Sequence, residues 1–173
     1  MNKKIAMVVG ILFTLGLTGC LLTSTENFEY NVTDQTGPLD LAGTSGVTVP
    51  IDLTDNSTFD DNQDKIENID RAGFEATLHT RNSETAIVDI SFRHKSTDDW
   101  VLILEGVSVA ALSSPVAPTE ISYKQSEALI QNFTLFQSVA LGGVMELQLV
   151  ARTGNDQVTV SNLLIIMTFT AGT

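Results

Sequence analysis

The chain has 173 residues, 21 acidic side chains against 9 basic ones, and a single cysteine. One cysteine excludes an internal disulfide framework and a zinc site built on several thiolates. A formal charge of −12 argues against nucleic acid, whose phosphates are held by a surplus of Lys and Arg. At 43% hydrophobic and 17% charged residues, the chain is too apolar to stay disordered and long enough for one domain with an appendage.

Met1 to Lys4 form a short basic stretch, and Ile5 to Leu17 form an apolar run too short to cross a roughly 30 Å hydrocarbon core as a helix. Leu17-Thr18-Gly19-Cys20 follows, then polar Thr23-Ser24-Thr25-Glu26. This arrangement resembles the signal peptide and lipobox of bacterial lipoproteins. The resemblance implies cleavage after Gly19 and a diacylglyceryl group on the Cys20 thiol, with a further acyl chain on the new amine. Two or three acyl chains hold a soluble domain on a bilayer, whereas one does so only marginally. Leu21 stands where an aspartate would imply retention at the inner membrane, so the resemblance favours the outer membrane if the host is Gram-negative. Loss of Lys3 and Lys4 with the leader takes the formal charge from −12 to −14, so anionic headgroups would repel the domain and the lipid must hold it. The expected organisation is a signal peptide at 1–19, a lipidated N-terminus and tether at 20–27, and one domain at 28–173.

The remainder reads as strands separated by turns. Phe28, Tyr30 and Val32 alternate with polar residues until Asp34-Gln35-Thr36-Gly37-Pro38. Val47, Val49, Ile51 and Leu53 form a second alternation, which Pro50 confines to a sheet edge or a bulge. Phe74, Ala76 and Leu78, then Ala86, Val88, Ile90 and Phe92, flank the Arg81–Glu84 turn and predict an antiparallel hairpin. Trp100 to Leu104 is continuously apolar and predicts a strand buried on both faces, with Trp100 in the core. The spacing of Leu129, Ile130, Phe133, Phe136, Val139 and Ala140 predicts an amphipathic helix near 126–140, capped by Ser126 and stopped by Gly142-Gly143. Met145, Leu147, Leu149 and Ala151 form another strand. Val158 and Val160 then change parity with Leu163, Ile165, Met167 and Phe169, which predicts a bulge near Ser161-Asn162. About eight short strands predict a two-sheet antiparallel β-sandwich of immunoglobulin-like or jelly-roll type.

Three groups of residues invite a chemical reading. Asp60, Asn62 and Asp64 have the alternate oxygens that open a calcium-binding EF-hand loop, with Asp55 or Glu67 as helpers. Lys65 and Arg71 then occupy the positions that need Gly and a bidentate Glu. The expectation is a solvated acidic loop, with calcium as the alternative. His94 has Ser96, Asp98 and Asp99 nearby in sequence, but no strained Gly-x-Ser-x-Gly elbow supports a catalytic triad. His79 and His94 are both expected as surface residues beside a hairpin. Aromatic residues are few and mostly at core parity, with Tyr30 and Tyr123 the candidates for exposure. The expected function is a lipid-anchored envelope module with a structural or interaction role and a protein partner, without catalysis or cofactor. The alternative is a calcium-stabilised adhesion or carbohydrate-binding module.

Overall fold

The computed structural model describes residues 24–42, 46–94, 98–152 and 157–172. The lipobox, including Cys20, lies outside them. Among the described residues nine strands are formed: β1 (Ser24–Asn31), β2 (Leu39–Ala42), β3 (Val47–Asp52), β4 (Ile66–Thr80), β5 (Ala86–Arg93), β6 (Val101–Val109), β7 (Thr119–Ile121), β8 (Val144–Ala151) and β9 (Gln157–Ala171). One sheet has the order β1-β9-β4-β7, with β2 beside β1 along the same edge of β9. The other has the order β3-β8-β5-β6. From β2 to β9 every connection except β5–β6 passes from one sheet to the other. This is the two-Greek-key arrangement of a jelly roll, so the expected sandwich is formed and its type is decided.

The alternating apolar residues face each other across the two sheets. Phe28, Tyr30, Val49, Ile51, Phe74, Leu78, Val88, Phe92, Leu147, Leu149, Ile165 and Phe169 are all buried, as the period of two requires for strands with one face on a core. Thr77 pairs with Asn162 while Leu78 pairs with Val160, leaving Ser161 as the extra residue of a bulge. This reconciles the two parities of β9 in one strand. Pro50 lies on β3, an edge strand of its sheet.

Several sequence expectations need correction. The predicted β4–β5 hairpin does not form, because β4 pairs with β9 and β7 while β5 pairs with β6 and β8. Turn residues mark a reversal of the chain, but not whether the returning strand joins the same sheet or the facing one. Trp100 to Leu104 is not buried on both faces: Val101 and Leu102 are only half-buried, because the outer face of a sandwich sheet meets solvent. Trp100 lies half-buried with the Arg93 guanidinium 4.1 Å from its ring centroid, which satisfies one face of the indole outside the core. Ile103 and Leu104 are nevertheless both buried, because Ile90 pairs with Leu104 and Ser91 with Leu102, and the irregularity turns two successive side chains inward. Tyr30, expected as an exposed candidate, is in the core.

A further correction concerns the helix at 126–140, which is broken in two. Four short helices occur among the described residues: α1 (Val32–Thr36), α2 (Ser57–Asp60), α3 (Tyr123–Glu127) and α4 (Phe133–Leu141). Between α3 and α4, Asn132 adopts a left-handed conformation with φ 53°. Its side-chain amide donates to the Leu102 carbonyl at 2.9 Å, and the Gln131 N–H donates to the Ile103 carbonyl at 2.9 Å. The segment thus satisfies the open edge of β6 instead of continuing a helical turn. Leu129, expected on the apolar face, is exposed.

Ser126 caps no helix. The capping box is formed by Ser122 and Gln125, whose side chain accepts from the Ser122 N–H at 3.0 Å. The buried Ser126 hydroxyl instead accepts from the Phe74 N–H and lies 2.7 Å from the Phe74 carbonyl. Farther along the same edge, the Thr80 N–H donates to Ser113 Oγ at 2.9 Å. The short strand β7 therefore has a serine hydroxyl closing the β4 edge on either side of it.

On the outer face of the β5 sheet, Arg152 grips Asp89 with two hydrogen bonds of 2.8 Å, and the Gly106 N–H adds a third at 2.7 Å. Gly106 has φ +71°, a conformation other residues adopt at a cost. Burial alone would raise the Asp89 carboxyl, but these donors outweigh it and hold the group below its ordinary range. A carboxyl depressed on folding contributes stability that is complete above its unfolded pKa of about 3.9 and is lost as pH falls through the folded value. Urea unfolding should therefore give a steady midpoint from pH 7 to 5 and a falling one below about pH 4. Asp89→Asn should cost about 1–2 kcal/mol at pH 7 and flatten the acid slope.

Candidate functional site

The acidic segment does not assemble a chelating loop. Asp60 ends helix α2, and Asn62 and Asp64 lie in the turns that follow. The Asn62 amide donates to the Thr58 carbonyl at 2.8 Å, while Asp60 and Asp64 face solvent. Among the described residues no three His, Cys, Asp or Glu side chains converge to hold a metal. Packing holds this segment instead. Phe59 is buried with its ring 5.5 Å from that of Phe28, and the Asn56 side chain accepts from the Thr58 N–H and donates to the Glu29 carbonyl. His94 is exposed with Nδ1 4.0 Å from the Asp98 carboxylate, and Ser96 lies outside the described residues.

A different group converges at the opposite end of the sandwich. Asp40 pairs with Thr159 across β2 and β9, and His79 pairs with Thr159 across β4 and β9. All three point away from the core, because Leu41, Val158, Val160, Leu78 and Thr80 take the inward positions. The result is a polar row across three strands. With Arg81 and Gln157 it lines a cleft of about 330 Å³.

Each wall of this cleft is fixed by structure beneath it. Thr159 Oγ donates to Asp40 Oδ1 at 2.7 Å, which leaves the second carboxylate oxygen to accept from elsewhere. The buried Thr80 hydroxyl donates to the Gln157 carbonyl at 2.5 Å and accepts from the Asn82 N–H at 3.2 Å. With Ser113 on the Thr80 N–H, these bonds hold the backbone on both sides of Arg81.

His79 Nδ1 is a buried nitrogen without a hydrogen-bond partner among the described residues. A hydrogen placed there would be a buried donor with no acceptor, which carries a desolvation penalty. In its neutral form the ring therefore holds its hydrogen on Nε2, and any partner it takes comes through that atom. Arg81 is exposed and has no ion-pair or hydrogen-bond partner among the described residues. Arg71, Arg93 and Arg152 are each engaged by a carboxylate. Arg81 thus lines the cleft with its donors uncommitted among the described residues.

Sequence reasoning placed His79 on the surface and missed the site. The cleft residues come from segments near 40, 80 and 158, and each looks locally like an ordinary solvated position. The one available signal was a histidine and an arginine two apart at the end of a strand, which is too common to be informative.

No protein-family model matches the chain, and no curated protein does. Among solved structures it is similar to turnip yellow mosaic virus at 8% identity and TM-score 0.39, covering 88% of this chain and 93% of that one. It is also similar to the exo-beta-1,3-galactanase of Phanerochaete chrysosporium, at 11% identity and TM-score 0.33, over 81% of this chain and 29% of that one. The VP2 subviral particle of infectious bursal disease virus gives 12% identity and TM-score 0.31, over 86% and 37%. Likenesses this distant say nothing of function.

Proposed function

We propose that this chain is a lipid-anchored, non-enzymatic recognition module of the bacterial cell envelope, displaying the His79–Arg81 cleft away from the membrane that holds it. The register of β9 carries this reading. Ser24, the first residue of β1, pairs with Ala171 at one end of β9, while the cleft is built on Thr159 near the other. Twelve strand residues at about 3.3 Å each separate the two by roughly 40 Å. The four residues from Cys20 to Ser24 span at most about 14 Å. A lipid on Cys20 thus seats the sandwich on its N-terminal end, and the loop at 110–118 projects outward beside the cleft. That loop is tied to the β4–β5 turn by the bond from the Leu112 N–H to the Asn82 carbonyl, and its Val116 is 95% exposed. An outer-membrane address belongs to the same reading, on the strength of Leu21 after the lipobox.

The cleft is arranged for binding rather than for nucleophilic chemistry. The Thr159 hydroxyl donates to Asp40, and the imidazole has no carboxylate on Nδ1 to orient it as a base.

The test is energy transfer in phosphatidylcholine vesicles that carry the lipidated protein and a headgroup-attached acceptor. With Cys20 acylated, a single introduced cysteine is the sole reactive thiol. A donor on Asp61→Cys should transfer strongly, and a donor on Val116→Cys several-fold more weakly. Equal transfer from both positions sinks the proposed orientation.

A further inference from the structure

Among the described residues the cleft contains a cation without a partner and a carboxylate with one uncommitted oxygen, and this combination narrows its ligand. Arg81 offers a planar fork of N–H donors suited to a carboxylate. Across the same cleft Asp40 keeps one carboxylate oxygen uncommitted, since Thr159 holds the other. A bare anion would gain from Arg81 and be repelled by Asp40. A doubly charged phosphate would be repelled more. A neutral sugar would satisfy Asp40 but offer Arg81 only neutral hydroxyl acceptors, whose hydrogen bonds are roughly half as strong as those of a carboxylate. A singly charged ligand that also bears hydroxyl groups meets both demands. Its carboxylate faces Arg81, and its hydroxyls donate to Asp40 and accept from His79 Nε2 and the Gln157 amide. A volume of about 330 Å³ is at the small end of the range for small-molecule sites and admits one sugar ring.

We infer that the cleft formed by Asp40, His79, Arg81, Gln157 and Thr159 is a binding site for a sugar acid, a monoanionic hydroxylated carboxylate such as a uronic acid. This rests on the recognition reading above and names the chemistry of what is recognised. The ligand is free or the terminal unit of a glycan, and the recognised group is the same.

The full-length lipidated protein in detergent micelles is titrated with glucuronate, galacturonate, glucose, acetate and inorganic phosphate, with amide shifts at His79, Arg81 and Thr159 as the readout. At least one uronate should saturate these shifts at a concentration tenfold or more below that of glucose and acetate. Arg81→Gln should remove most of that preference while leaving the spectrum of the core unchanged. His79→Gln, which keeps a donor, should weaken binding less than Arg81→Gln. The proposal is overturned if neither uronate binds better than glucose. It is also overturned if Arg81→Gln binds the uronate as wild type does, or if phosphate matches it and the cleft is a plain anion site. Oligomers of the preferred uronate binding no more weakly than the monomer identify a glycan end. Oligomers that fail to bind identify the free acid. A null titration with distal energy transfer intact removes the ligand and keeps the display, whereas saturation with equal transfer does the reverse.

Discussion

Phe136→Ala is expected to destabilise the sandwich by about 3–5 kcal/mol, the range for a large aromatic removed from a core that cannot collapse. Phe136 is fully buried on α4, and its ring lies 5.3 Å from that of Phe92 at 88° and 6.4 Å from that of Phe74. Phe74 is on β4 and Phe92 on β5, strands of the two facing sheets. One side chain therefore joins the helix to both layers, and its loss opens a cavity between them. At roughly 2–4 °C per kcal/mol for a domain of this size, the melting temperature should fall by about 10 °C or more. The comparison is Leu135→Ala, the preceding residue on the same helix but 47% exposed, which should cost no more than about 0.5 kcal/mol. If thermal melts show the two variants alike, α4 is not the wedge between the sheets.

Cys20→Ser should abolish labelled-palmitate incorporation and release the protein from membranes or leave it with its leader uncleaved. Cys20 is the sole thiol in the chain, and it directly follows the Leu17-Thr18-Gly19 segment. On the proposed reading, a mature domain of formal charge −14 would be repelled by anionic headgroups and would depend on its acyl chains for a hold on the bilayer. A variant that still takes up label and sediments with membranes would refute the lipoprotein reading.

The contrast between Pro50 and Trp100 shows how far the sequence carries. Pro50 lacks the N–H that an interior strand needs, so its edge position follows from its own chemistry. Trp100 opens an apolar run, and nothing in that run says that the strand stands at an edge with Arg93 available to cover the indole. Likewise Phe136 and Ala140 follow the helical period into the core, while Leu129 obeys the same period and lies exposed. The carbonyls of Leu102 and Ile103, roughly thirty residues earlier in the chain, claimed the segment between them. A period records which face a residue would take if the element persisted. It does not record what competes for the backbone.

The same division separates the core from the cleft. Alternation in Phe74–Leu78, Ala86–Phe92 and Met145–Ala151, and the change of parity at Ser161, were readable from the chain alone. Successive side chains of a strand point to opposite faces whatever the strand pairs with, so that property is local. Which strands become neighbours was decided only in the tertiary structure, because β4 and β5 satisfy the same core from facing sheets as well as they would from one. The cleft depends entirely on that choice. Asp40, His79 and Thr159 meet because β9 lies between β2 and β4. Polar residues on the outward face carry no hydrophobic pattern, so nothing local distinguishes three that will converge from three that will merely be wet.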